Sequence, residues 1–273
     1  MSKLITDYTK AKDLKLDVSG FIINFKPYSL FPKYRFSLEE VKKIIPKIRK
    51  ENKLVFLNMD ALIREKDLEN LKELLKIIIT LDFDYLIFHD FAIYNYLKKK
   101  GLENKLIYDG KTMVTSKNEL AFFKKQNLSV FVSRELKKDE LEVISKLDNA
   151  LLEVFGFERI FYSKRPILSL FKEFKNIDEQ LTNKVYKLKE KDDLYLAYEE
   201  DGEYFVYLEK IKYLYDELKD LKNNFKYLKI SHAFIEDITY VIDKYNDLLN
   251  DKNLEENSKL LEKYVNEVTL WKK

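Results

Sequence analysis

Polar and charged residues close one short apolar run after another along this chain. They are Asn24, Asn58 with Asp60, His89–Asp90, Asp109–Gly110–Lys111, Ser133–Arg134–Glu135, Lys164–Arg165 and Ser231–His232. In an α/β barrel the groups just past the carboxyl ends of the strands form the active-site rim, so these are the candidate chemistry. His89, Asp90 and Glu153 are the candidate acid–base groups. Arg134 and the run Tyr162–Ser163–Lys164–Arg165 are the candidate anion ligands. A guanidinium grips carboxylate or phosphate through two parallel hydrogen bonds, so the run suits a phosphate, an RNA backbone or a small organic acid.

Each residue also has a structural reading. Asp90 and Ser133 stand where helix caps stand. His89 fits a buried, hydrogen-bonded imidazole. Glu153 lies inside the apolar stretch LLEVF, so it either faces a barrel interior near the rim or pairs with Arg134 or Arg165. The FYSKRP turn, residues 161–166, reads equally as a solvated basic loop. A Ser133–His89–Asp90 triad can be drawn, but nothing in the spacing supports it.

Composition narrows the chemistry. The 273 residues contain no Cys, which excludes disulfides, a thiol nucleophile and any thiolate-held zinc or iron–sulfur cluster in this chain. With two His, a His-rich metal site is not expected, and neither HExxH nor GxSxG occurs. Fifty basic against 47 acidic residues leave a net charge of +3, too little to argue for nucleic acid by itself. The polar N-terminus has no apolar signal core and no run approaches a membrane span, so a cytoplasmic chain with no membrane partner is expected.

The elements that must hold these groups follow a repeating rhythm. Apolar runs at 20–25, 54–57, 85–88, 106–108, 128–132 and 150–155 alternate with amphipathic stretches. The first such helix opens at Ser37, where SLEE forms a capping box with Glu40, and its apolar face carries Leu38, Val41, Ile44, Ile45 and Ile48. Others are expected at 68–81, 93–99, 118–125 and 137–147. Six such units without a GxGxxG turn predict a parallel TIM-like (βα) barrel, irregular or incomplete, in a single domain over 1–273. Beyond them Asp201–Gly202 predicts a hairpin insertion at about 190–210. A helix at 211–221, a strand at 227–230, a helix at 234–249 and a C-terminal helix at 254–271 complete the expectation.

Three segments together resemble peptidase family U32. Phe36–Ser37–Leu38–Glu39–Glu40 is similar to its FSLEE helix start, and Ser133–Arg134–Glu135–Leu136 to its LSREL. Glu153–Val154–Phe155, Gly156 and Tyr162–Ser163–Lys164–Arg165 through Leu168–Ser169 resemble its signature. Typical members carry two cysteines there, where this chain has Arg159 and Pro166. Many read KIEGR after a late strand, where Lys229–Ile230 is followed here by Ser231–His232. The pattern is closest to a short, cysteine-free branch.

Although named for proteolysis, the family has members that act in hydroxylation of RNA bases. For the short branch the resemblance implies 5-hydroxyuridine formation at the tRNA wobble position, with a paralogous partner and with prephenate as the associated small acid. This chain would then be the accessory subunit, and any iron–sulfur cluster would sit on the partner. Whether the chain is itself an enzyme stays open at this point. A collagenase-like peptidase and a catalytically inactive scaffold are the alternatives.

Overall fold

The structure, a computed structural model, describes residues 2–267 apart from Thr112 and Asp192. Eight parallel strands close a barrel. They are β1 (Lys3–Asp7), β2 (Gly20–Asn24), β3 (Leu54–Met59), β4 (Tyr85–Phe88), β5 (Leu106–Asp109), β6 (Ser129–Phe131), β7 (Ala150–Ser163) and, late in the chain, β11 (Tyr227–Ile230). Strand β11 pairs with both β1 and β7, and this double pairing shuts the ring. The barrel is therefore complete.

Each of the eight strands sends one residue into a shared interior layer: Ile5, Ile22, Phe56, Ile87, Ile107, Phe131, Leu151 and Tyr227. All are buried. Side chains two positions apart share a face of a strand. Two residues further on, the same eight positions are Asp7, Asn24, Asn58, His89, Asp109, Ser133, Glu153 and Lys229. An apolar plug thus sits under a wholly polar ring at the carboxyl ends. Period-two alternation places the chemistry there.

Outside the ring lie α1 (Leu38–Lys50), α2 (Leu68–Ile78), α3 (Phe91–Lys98), α4 (Lys117–Lys125), α5 (Lys138–Ile144), α7 (Thr239–Leu249) and α8 (Leu254–Glu267). In α1, Val41, Ile44, Ile45 and Ile48 are buried against the barrel, and Ser37 accepts from Glu40 N while Glu40 accepts from Ser37 N (2.8 Å). The remainder of the expected C-terminal helix, 268–271, lies outside the described residues.

Strand β7 runs on past the barrel. Its outer half pairs antiparallel with β10 (Glu203–Tyr213), which continues to β9 (Asp193–Glu200) and β8 (Val185–Glu190). The insertion is thus a three-stranded sheet, wider than the expected hairpin. Its Asp201–Gly202 turn has φ of 54° and 76°, the two positive values that a type I′ turn requires. Between β7 and β8 lies α6 (Ile167–Lys175).

Gly156 marks the point where β7 leaves the ring. Its φ is +142°, and a Cβ there would stand 2.6 Å from Ser231 Cβ. Gly156→Ala is therefore expected to cost at least about 1–3 kcal/mol of stability, read as a lowered midpoint in urea unfolding. An unchanged midpoint would refute this account of the kink.

Three expectations need correction. The N-terminal segment, polar and assigned no strand, forms β1 in the heart of the barrel. Residues 211–221 are not helical: the strand continues to Tyr213, and turns follow. The spacing of Ile211, Leu214, Tyr215, Leu218 and Leu221 imitates a helix face, but Leu214 N donates to Val154 O (2.9 Å) and prolongs the ladder. The helix expected from 234 starts at Thr239.

Candidate functional site

The polar ring opens into a cavity of about 110 Å³. Two buried charge clusters wall it. In the first, Lys111 Nζ lies 2.5 Å from both Asp60 Oδ2 and Asp109 Oδ2, and Arg159 stands 3.7 Å from Asp60. In the second, Glu153 accepts from Arg134 Nη1 at 2.6 Å and Lys229 Nζ at 2.9 Å. Asp60 and Asp109 of the first cluster stand at the ends of β3 and β5, and the second cluster stands at the rim positions of β6, β7 and β11; Arg159 reaches the first cluster from β7.

Local sequence explains each placement. Lys111 follows β5 with φ of 59°, and its N–H donates to Asp109 Oδ1 (3.0 Å), a tight turn that folds the lysine back over the barrel. Arg134 is held by the bend at Gly156, donating to Gly156 O (2.8 Å) and Phe157 O (3.2 Å). Arg159 reaches inward from the extended half of β7, donates to Leu30 O (2.8 Å) and bonds Tyr207 on β10. The loop bearing Leu30 is fastened in turn. Arg35, its side chain 3% exposed, pairs with Glu200, Asp201 and Glu203 of the β9–β10 turn. The inserted sheet thereby braces the loop that roofs the cavity.

Electrostatics follow from this packing. Burial alone would raise the Asp60 carboxyl, but Lys111 and Arg159 overcome it and hold Asp60 far below the ordinary carboxylate range. Glu153 is likewise lowered against its burial by Lys229 and Arg134. Burial pushes Asp7 up, opposed by Lys229 and reinforced by Glu153. The Tyr207 phenol is pushed up to about 12 by burial, with Arg159 opposing.

The pH consequence has a definite sign. Asp60 and Glu153 ionise more readily folded than unfolded, so their stabilisation is whole above their ordinary values of 3.8 and 4.5 and disappears as pH falls through the lower folded values. Asp7 acts oppositely, stabilising below 3.8 and losing that contribution as pH rises through its raised value. The stability difference between the native protein and Asp60→Asn should therefore be constant above about pH 5 and shrink below about pH 4. Urea unfolding at stepped pH measures it, and a difference independent of pH would contradict the assignment.

Two buried polar atoms on the cavity wall have no partner: Asn58 Oδ1 and Arg134 Nε. Asn58 is 6% exposed, and its amide nitrogen is already donating to Asn24, Ser29 and Asp60. Unsatisfied buried groups are costly. One donor toward Asn58 Oδ1 and one acceptor toward Arg134 Nε would satisfy the pair.

The candidate residues divide among four places. Glu153 and Arg134 line the cavity. His89 and Tyr162 line an outer vestibule of about 300 Å³, which shares Asp60, Lys111 and Arg159 with the cavity. There His89 Nδ1 donates to Asp109 O (2.7 Å). Tyr162 donates to Glu203 (3.0 Å). Ser163, Lys164 and Arg165 form an outer turn: Ser163 Oγ accepts from Arg165 N, and Lys164 Nζ donates to Leu62 O (2.7 Å). Asp90 caps α3, accepting from Ala92 N and Ile63 N at 2.9 Å each.

The triad is not assembled. Ser133 Oγ accepts from Glu135 N (3.2 Å), Asp90 is occupied by two amides, and His89 faces a carbonyl. No hydrogen bond joins the three among the described residues. Arg159, Tyr207 and Lys229 were not singled out as site residues. A charge inside an apolar strand, the signal used for Glu153, would have found Lys229.

Comparison with known proteins agrees with this architecture. The family model described as Peptidase family U32 matches residues 25–272. The chain belongs to peptidase family U32. Among solved structures, this U32 chain is similar to that of the U32 peptidase Mk0906, with a TM-score of 0.53 and 13% identity, covering 85% of this chain and 92% of the other. That likeness speaks for the fold. Among curated proteins no sequence match was found.

Proposed function

We propose that this U32 chain is a binding subunit in tRNA wobble-uridine 5-hydroxylation, acting beside a paralogous partner. The cavity is its ligand site. The observation supporting this reading is a lining of four cations, Lys111, Arg134, Arg159 and Lys229, set among four carboxylates, Asp60, Asp109, Glu153 and Glu158, with Asn58 Oδ1 and Arg134 Nε unpartnered, around a space with no assembled nucleophile. A ligand for such mixed walls must bring both acceptors and donors, as a small hydroxy acid does. Prephenate, the acid associated with the resembling branch, has both groups. The basic outer turn at Lys164–Arg165 offers tRNA phosphates a place to rest.

The redox step belongs, in this reading, to the partner. An iron–sulfur cluster would have to be held there, since this sequence has no thiolate to offer. The role places the chain in the cytoplasm with its RNA; among the described residues no helix is long and apolar enough to cross a membrane. A peptidase would need an activated nucleophile or a metal-bound water, and Ser133, His89 and Asp90 are each engaged elsewhere. The test is mass spectrometry of tRNA nucleosides from cells lacking the gene. Loss of 5-hydroxyuridine and its recovery on complementation is the expected result, and an unchanged profile in the absence of redundancy would refute it.

A further inference from the structure

Helix α6 has no buried residue, yet it is firmly anchored. Leu168 N donates to Glu199 Oε2 (2.6 Å), and Ser169 gives both its N–H and its hydroxyl to the same carboxylate. Glu199 itself is 0% exposed. The helix is held by its first turn, while Leu170, Phe171 and Phe174 stand 51%, 48% and 77% exposed. An apolar face left in water on a pinned helix marks a contact surface.

The charge around it selects the occupant. Within 161–175, Lys164, Arg165, Lys172 and Lys175 oppose Glu173 alone, a net +3 equal to that of the entire chain. Each exposed phenylalanine is followed by a lysine, and Lys175 Nζ sits 5.1 Å from the Phe174 ring centroid. The surface also runs into the vestibule. Exposed Arg64 donates to Lys164 O (3.1 Å), Lys164 donates to Leu62 O, and Leu62, Ile160 and Phe161 at the vestibule are about half exposed.

We propose that this face binds single-stranded RNA, with Phe171 and Phe174 stacking on bases, the flanking cations contacting phosphates, and the strand led toward the vestibule. Rings interleaved with cations suit this occupant because every base offers a π-face and every linkage a charge. The proposal deepens the tRNA reading and rests on it. The nucleoside assay decides that reading separately, because it scores the effect of the gene whichever surface holds RNA.

Fluorescence anisotropy of labelled oligouridine with the purified full chain tests it. Phe171→Ala/Phe174→Ala should weaken binding at least about 30-fold, and Lys172→Ala/Lys175→Ala should lower the salt slope by about 1.4. All four side chains lie on the solvent side, and circular dichroism verifies folding. No binding by the native chain, or equal affinity of the phenylalanine variant, overturns the proposal. So does displacement by poly-glutamate as effective as by RNA and dependent on the same phenylalanines, which would give the face to an acidic protein partner.

Discussion

Replacing Glu153 with Ala is expected to destabilise the barrel by about 3–5 kcal/mol. The carboxylate lies between Arg134 Nη1 and Lys229 Nζ, and the three side chains are only 12–19% exposed. Its removal leaves Arg134 without its carboxylate in a low-dielectric interior, and leaves Lys229 only the attraction of Asp7. Glu153→Gln keeps the shape and one acceptor, so it should cost less than the alanine variant. Urea unfolding at neutral pH provides the comparison. A loss below about 1 kcal/mol for the alanine variant, in the range of an exposed pair, would mean that Glu153 is not the keystone of this arc.

Lys111→Met should lower ligand affinity in a protein that still folds. Lys111 is the most exposed of the lining cations, its side chain 33% exposed, and it borders both cavity and vestibule. Asp60 would retain Arg159, whereas Asp109, its side chain 16% exposed, would lose Lys111. A charge-assisted hydrogen bond contributes about 1.5–3 kcal/mol, so prephenate affinity by calorimetric titration should fall about 10- to 150-fold. Unchanged affinity in a folded variant would remove Lys111 from the site. Tighter binding would show that the cavity prefers a cation.

Much of the site was legible because strand geometry is periodic. Asn24, Asn58, Asp109, Ser133 and Glu153 each follow an apolar residue of the interior layer by two positions, so one rule brings them to the same ring. The remainder depended on tertiary information. Lys3–Asp7 is short and lies in a polar N-terminus, and only its pairing with β2 and β11 makes it a strand and makes Asp7 a ring member. Arg159 and Tyr207 face each other because β7 continues for 14 residues and β10 is irregular between Tyr207 and Ile211. Register of that kind is invisible to local pattern. Asp90 shows the opposite case: a rim position with the right chemistry is occupied by capping.

The resemblance to the signature also acquires a physical basis. Gly156 is required by φ and by the proximity of Ser231, and the bend it allows presents two carbonyls to Arg134. Glu153 then neutralises Arg134. Arg134 of one motif, Glu153 and Gly156 of another, and Ser231 just past β11 form one structural unit at the mouth of the barrel.

The most direct test of the central claim is the 5-hydroxyuridine content of tRNA from cells lacking this gene, complemented in parallel with the native chain, Lys111→Met, and His89→Ala/Ser133→Ala. A binding subunit predicts full recovery with the native chain, little with Lys111→Met at equal protein level, and substantial recovery without the Ser133 hydroxyl and His89 imidazole. Recovery by Lys111→Met but not by the His89/Ser133 variant would contradict the account, as would a nucleoside profile that never depended on the gene.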